Sequence, residues 1–300
     1  MADNEPATAH DHSARSAGRG RGGRGWRRPF LAHERPLFFV HRGGAKLAPE
    51  NTVAAFAEGL AWGADALELD IQTTREGELV VIHDLTVDRT TDGAGLVSAL
   101  SLDELRRLDA GFRFTPDGGA TFPFRERGVW IPTLRDIFER FPYTRVNIDL
   151  KQSTPARERR LWELIQAYEA IDRVLVASGD LHAPIVRFRR LSSGRVTTSA
   201  SAAEIRSFVL AAAAGATRLL RPAYDALQVP EWHRGIRIVS SRCVAAAHRA
   251  GLDVHVWTVD APSDMDRLLA LGVDGLMTDR PDVLAGVLGR QRSGDGRRGQ

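Results

Sequence analysis

Residues 66–84 read ALELDIQTTREGELVVIHD, and the spacing inside this stretch decides the fold. ALELDI (66–71) is a short apolar run rich in strand formers, and LVVIHD (79–84) is a second one that starts about seven residues later. A parallel crossover needs a dozen residues or more, so the second run must return antiparallel, as a hairpin through the turn TREGE and its Gly77. Outward from this point the rhythm changes. Seven other runs, LFFVH (37–41), VNIDLK (146–151), VLVAS (174–178), VTTSA (196–200), ALQVP (226–230), VHVWTV (254–259) and VDGLMTD (273–279), are separated by helical patterns. Strands alternating with helices predict parallel pairing, and eight such strands in about 250 residues predict an α/β fold of the (β/α)8 TIM-barrel type. The hairpin at 79–84 is an extra, and the stretch from Leu85 to Ile131 reads as an inserted excursion after strand two. Within it, SLDEL (101–105) has the form of a capping box, Ser263 with Asp266 reads as a later helix start, and Gly251 and Gly272 read as helix stops.

The domain boundaries follow composition. Residues 1–35 contain GRGRGGRGWRR (18–28) and read as a disordered Arg/Gly-rich tail, residues 36–288 form the barrel domain, and residues 289–300, GRQRSGDGRRGQ, read as a second disordered tail. The formal charge of +3 belongs to these ends, since residues 1–35 alone carry seven basic and four acidic groups. The stretch between them is slightly acidic, so the high pI is no evidence for a nucleic-acid-binding core and no stable nucleic-acid partner is expected for it; the tail, with its arginines and Trp26, is the segment that could meet RNA or anionic surfaces. Cys243 is the single cysteine, which excludes an internal disulfide framework. No run approaches the roughly 18 apolar residues of a membrane span, and the first thirty residues lack a signal-peptide core, so a cytoplasmic protein is expected.

Polar residues gather at the strand ends, where a barrel of this kind places its chemistry. Strand one ends in His41 and Arg42, strand two carries Glu68 and Asp70, the hairpin ends in His83 and Asp84, strand three carries Asp149 and Lys151, and strand seven carries His255 and Trp257. Residues two apart on a strand share a face, so Glu68 with Asp70, and Asp149 with Lys151, point the same way. If that way is inward, three carboxylates converge, and a hard divalent cation is the usual means of neutralising them. Any one of them could instead pair with an arginine. Imidazole titrates near neutrality, which suits His41 and His83 to proton transfer, while Arg42 can grip a phosphate in bidentate fashion and Lys151 offers a compact charge. Of the 41 basic residues only Lys46 and Lys151 are lysines, which singles out the strand-end lysine.

Three blocks of this sequence, HRGGAKLAPENT (41–52), ELDIQTTREGELVVIHD (68–84), and VWTVD with GVDGLMTDRP (256–260 and 272–281), resemble in order the motifs of the glycerophosphodiester phosphodiesterase family. The resemblance spans roughly residues 37–288. It implies metal-dependent hydrolysis of glycerophosphodiesters to an alcohol and glycerol 3-phosphate, with His41 and His83 as the acid/base pair and Glu68, Asp70 and Asp149 as ligands of one divalent ion, Mg2+ or Ca2+. Arg42 and Lys151 would hold the phosphate and Trp257 would form part of the substrate wall. Asn51 and Thr52 would cap the first helix, and Glu50 would be a ligand or an orienting group. The family most often has glutamate where this chain has Asp149, and the form NIDLK also resembles the branch that releases choline or ethanolamine from lysophospholipids. A lysophospholipase D reading would use the aromatics Phe112, Phe114, Phe122, Phe124 and Trp130 of the excursion as a greasy groove. An inactive barrel serving as a scaffold for an anion- or RNA-binding tail is the alternative of another class.

Overall fold

The computed structural model describes residues 28–151, 154–179 and 181–295. Eight parallel strands form a nearly closed barrel: β1 (Leu37–Val40), β2 (Ala66–Thr73), β4 (Arg145–Leu150), β5 (Val174–Ala177), β6 (Thr197–Thr198), β7 (Ala226–Pro230), β10 (Asp253–Trp257) and β11 (Gly275–Thr278). Their order round the barrel is β6-β5-β4-β2-β1-β11-β10-β7. A single bridge between Ser199 and Ala226, with the Asp225 amide donating to the Thr198 carbonyl at 2.8 Å, joins β6 to β7 and closes the ring. The predicted hairpin is β3 (Leu79–Val81), antiparallel to β2 through Ile71↔Val81, Gln72↔Val80 and Thr73↔Leu79. A second small hairpin, β8 (Trp232–His233) with β9 (Ile236–Arg237), follows β7 at the barrel mouth.

The strands read as continuous apolar runs because both faces are covered. Leu67, Leu69 and Ile71 of β2, with Val146, Ile148 and Leu150 of β4, point outward into a buried sleeve under the helices α1 (Val53–Ala61), α3 (Leu134–Arg140), α4 (Pro155–Ala167), α5 (His182–Leu191), α6 (Ala202–Ala213), α7 (Ser241–Arg249), α8 (Pro262–Ala270) and α9 (Pro281–Asp295). The alternate residues Leu37, Phe39, Ala66, Leu175, Ala226 and Met277 fill the lower barrel interior. Helix ends obey the sequence in most places: Ser101 makes a capping box with Glu104 at α2 (Leu102–Arg106), and Gly251 and Gly272 take positive φ just after α7 and α8. Ser263 does not cap α8; Pro262 occupies the first turn behind Ala261, and a ring nitrogen without a hydrogen needs no acceptor there.

Two boundaries move. Residues 28–35, assigned above to the tail, belong to the folded body: Phe30 and Leu31 are buried in the barrel interior, Phe30 lies 6.3 Å from Phe39 between ring centroids, and Arg145 donates to the carbonyls of Phe30 and Ala32 at 2.9 and 2.7 Å. The pair plugs the end of the barrel where the strands start. At the other terminus α9 continues to Asp295, past the expected limit at residue 288. The Arg/Gly run up to residue 27 and residues 296–300 lie outside the described residues. Truncating Phe30 to alanine would empty the plug, and a loss of about 3 kcal/mol in urea unfolding is expected for a fully buried phenylalanine; no loss would return residues 28–35 to the tail. The excursion has its own small core of Val87, Val97, Leu105, Ala110 and Ile131 against Val80 and Ile82 of the hairpin. Among the described residues no helix is long and apolar enough to cross a membrane.

Candidate active site

Except for His255, which is completely buried inside the barrel beside Gly275 at the start of β11, each predicted strand-end residue arrives at the C-terminal rim for a local reason. Past β1 the chain turns sharply through Arg42, Gly43 and Gly44, with φ of 52°, 91° and 95°. A Cβ at Gly43 would stand 2.6 Å from the Cβ of Ala55 on α1, so only glycine lets the turn press against that helix. The turn aims the Arg42 amide into the barrel, where it donates to Glu68 Oε2 at 3.0 Å. On β2, Glu68 and Asp70 do share the inward face, and β4 lies in register so that Asp70 pairs with Asp149.

Six of the predicted residues form one network. Lys151 Nζ lies 2.6 Å from Asp149 Oδ2 and 3.0 Å from Asp70 Oδ1, and so stands between the two carboxylates. Arg42 Nε lies 3.2 Å from Asp70 Oδ2 while its Nη1 donates to Glu50 Oε1 at 3.1 Å. His41 has Nε2 4.0 Å from Glu68 Oε2 and Nδ1 2.7 Å from Asp279 Oδ1. His83 stands at the edge of this group, where it lines a recess with Gln72, Asp84, Leu85 and Lys151; its Nδ1 lies 2.6 Å from Asp84 Oδ1. Trp257 ends β10, two strands round from β1, and is 41% exposed.

Several working residues escaped the sequence reading. Asp279 orients His41, and the Asp279 amide in turn donates to Asp260 Oδ1 at 2.9 Å, with Lys46 Nζ 2.8 Å from Asp260 Oδ2. Gln72 Nε2 donates to the His83 carbonyl at 3.0 Å. Arg89 donates to Asp84 Oδ2 at 2.6 Å and to both oxygens of Glu50 at 2.7 and 2.8 Å, so Glu50 is an orienting group held by Arg42 and Arg89. Thr52 caps α1 by accepting from the Ala55 amide, as expected, but Asn51 does not. Its side chain donates to Asp70 Oδ2 at 2.9 Å instead and fixes that carboxylate. A charged residue directly after His83 was the one visible signal for such partners.

The charges respond to this packing. Burial alone would lower the His41 imidazole, but Glu68 and then Asp279 outweigh it and raise its pKa. Burial, reinforced by Asp70, pushes the Glu68 carboxyl up to about 7, although His41 and Lys151 oppose the rise. Burial acts the same way on Asp70, yet Lys151 and Arg42 prevail and hold it below the ordinary carboxylate range. Against partial burial, Arg89 and His83 bring Asp84 down to about 2. The residues fit a hard divalent cation: the donors are carboxylate oxygens, burial and Asp70 hold the Glu68 carboxyl above its ordinary range, and the buried Asp70 Oδ1 makes no hydrogen bond although Lys151 Nζ lies 3.0 Å away. The tightest metal-type donor set among the described residues is elsewhere, at His33, Asp253 and Asp274 near the opposite end of the barrel, with ligand atoms all within 4.8 Å of one another.

Comparison with known proteins agrees with this geometry. Residues 41–283 match the model of the glycerophosphoryl diester phosphodiesterase family. The chain is 34% identical over 268 residues to a glycerophosphodiester phosphodiesterase of Caldanaerobacter subterraneus, covering 84% of this chain and 97% of that protein. It is 32% identical to the probable glycerophosphodiester phosphodiesterase 2 of Mycobacterium tuberculosis, over 89% of this chain and 96% of that one. Among solved structures, a glycerophosphodiester phosphodiesterase from Agrobacterium tumefaciens superposes with a TM-score of 0.67 at 25% identity, covering 84% of this chain and 99% of its own. An Oleispira antarctica phosphodiesterase solved with the product sn-glycerol-3-phosphate shares the fold at a TM-score of 0.67 and 23% identity, over 84% and 96% of the two chains. With a family match over most of its length and relatives above 30% identity that it covers almost completely, the chain belongs to the glycerophosphoryl diester phosphodiesterase family and is an enzyme of that family.

Proposed function

We propose that the barrel mouth hydrolyses glycerophosphodiesters to an alcohol and glycerol 3-phosphate, with His41 and His83 moving the protons and one divalent ion, Mg2+ or Ca2+, held by Glu68, Asp70 and Asp149. The observation that carries this reading is the matched pair of His–Asp contacts. Asp279 takes Nδ1 of His41 and Asp84 takes Nδ1 of His83, which fixes each ring and leaves Nε2 as the working nitrogen. One histidine accepts the nucleophile's proton and the other protonates the departing alkoxide. Lys151 and the Nη2 edge of Arg42 bind the charge that gathers on the phosphoryl oxygens, and Glu50 with Asn51 keeps Arg42 and Asp70 in place for it. When bound, the cation adds a positive charge that polarises a phosphoryl oxygen. The product seen with the Oleispira antarctica phosphodiesterase, sn-glycerol-3-phosphate, is the one this reading requires. Release of glycerol 3-phosphate from glycerophosphocholine, measured with Mg2+, Ca2+ or EDTA, tests it; hydrolysis undiminished by EDTA would remove the cation from the scheme.

The raised pKa of Glu68 makes a second, independent expectation. Without a cation the folded protein holds this proton up to about pH 7, whereas the unfolded chain loses it near the ordinary value of 4.5. The contribution to stability is therefore whole below that lower value and disappears as pH rises through about 7. A cation must displace the proton to bind the carboxylate. Mg2+ or Ca2+ should thus raise Tm more at about pH 8 than at about pH 5, and Glu68→Gln should erase the difference; an equal rise at both pH values would contradict the assigned ligand.

Lysophospholipids are a second reading, favoured by the apolar side chains exposed around the mouth: Leu85 beside His83, Trp257, and Trp232 and Ile236 on the β8–β9 hairpin. Of the excursion, Leu85 belongs to this surface, while Phe112 and Trp130 line a separate recess with Leu108 and Val129. Phe114 packs edge-on against Phe124, and Phe112 and Phe122 both stack on Arg125, contacts internal to the insert. Faster cleavage of lysophosphatidylcholine than of glycerophosphocholine would decide for the lipid substrate.

A further inference from the structure

At the end of the barrel where the strands start, far from the chemistry, three side chains converge and a fourth lies beside one of them. His33 comes from the segment before β1, Asp253 and His255 from β10, and Asp274 from the residue before β11. His33 Nε2 lies 3.1 Å from Asp253 Oδ2, and ligand atoms of His33, Asp253 and Asp274 all fall within 4.8 Å of one another. Such a cluster alone can be a set of hydrogen-bonded ion pairs. His255 makes the difference. It is completely buried, its Nε2 has no hydrogen-bond partner, and that nitrogen lies 3.8 Å from Asp253 Oδ2. A buried nitrogen without a partner costs stability, and native interiors keep few of them without a reason.

We propose that His33, Asp253, Asp274 and His255 form a second metal site, for a borderline transition ion of the Zn2+ class. Two imidazole nitrogens with two carboxylates are a tetrahedral zinc set, whereas the ligands proposed at the mouth are all carboxylates and suit harder ions. Two atoms each about 2.0 Å from a tetrahedral zinc stand roughly 3.3 Å apart, close to the separation of His33 Nε2 and Asp253 Oδ2. The supporting contacts fit as well. His248 Nε2 lies 2.8 Å from Asp274 Oδ2, which also accepts from the Val254 amide at 2.9 Å, and this steadies one carboxylate. His255 Nδ1 faces the Gln228 amide at 3.3 Å; with that amide turned end for end, and with it the Asn147 amide that donates to its oxygen at 3.5 Å and whose own oxygen has no partner, Nδ1–H donates to Gln228 and Nε2 is left as a bare lone pair 3.8 Å from Asp253 Oδ2. A bound ion would pin the Phe30–Leu31 plug to β10 and β11, a stabilising role in keeping with that end of the barrel.

The test uses the full chain carrying Asp70→Asn, so that the mouth does not compete for metal. Co2+ added to this metal-freed protein should give the strong visible bands of a tetrahedral site at one equivalent, and Zn2+ should bleach them and shift Tm upward. Adding His33→Ala should abolish both effects, and Asp253→Asn, nearly isosteric, should do the same if alanine loosens the segment. Absence of tetrahedral bands in the Asp70→Asn protein, or bands that survive both added substitutions, would overturn the proposal.

Discussion

Replacing His41 by alanine is expected to lower kcat for glycerophosphocholine by about 10²–10⁴-fold, the usual cost of losing a positioned proton-transfer group. His83→Ala should lose a similar amount. The two differ in what rescues them. With a p-nitrophenyl phosphodiester the leaving group departs without a proton, so whichever histidine is the acid becomes dispensable and that variant recovers, while the base variant stays slow. Both variants should unfold near the wild-type midpoint, because each ring lies at the mouth rather than in the sleeve of apolar side chains. Recovery of neither variant would remove the division of labour, and full activity of both with the natural substrate would remove the histidines from the mechanism. Asp279→Asn supplies a graded control: it weakens the partner of His41 Nδ1 without removing the ring, and a smaller loss in kcat is expected.

Asp70→Ala should be damaging in two separable ways. The Asp70 carboxylate is wholly buried and has Lys151, Arg42 and Asn51 around it. Without it two cations are left inside the mouth with half their compensation, and breaking a buried pair of this kind costs about 3–5 kcal/mol. Activity should fall by on the order of 10²–10³-fold as well, since the same oxygens are assigned to the cation. Asp70→Asn keeps the shape and the contact with Asn51, so it should recover part of the stability and little of the activity. Urea midpoints and kcat/KM measured on the two variants separate these effects. A fully active Asp70→Asn enzyme would exclude Asp70 as a ligand.

The fold was legible because a parallel barrel buries both faces of its strands, and runs such as VLVAS and ALELDI then need no alternation to be recognised. The hairpin was legible from a loop too short for any other connection. What composition hid was the plug: Phe30 and Leu31 follow an arginine-glycine run, and two apolar residues carry no periodicity. The helix start at Pro262 was misassigned to Ser263 because a capping side chain was sought where a proline already suffices. At the mouth, residues on strand ends announced themselves, but their partners did not. His41 and Asp279 are 238 positions apart, and nothing local to either says that they meet. Asn51 looked like a cap because it precedes a helix, and the contact that redirects it, with Asp70, exists only once β2 is in place.

Both lysines of the chain stand on the same face. Lys46 holds Asp260 and is half exposed, while Lys151 is flanked by Asp149 and Asp70, whose charges outweigh burial and keep it protonated. Every other basic side chain but histidine is an arginine. Apart from the α-amino group, amine-directed chemistry thus has one address on this molecule. Coupling to an activated resin or dye would tether the enzyme through Lys46, mouth toward the support, and would withdraw the charge that steadies Asp260 behind Asp279. Immobilisation through Lys46 should silence the enzyme where attachment through a terminal tag would leave the mouth facing solution.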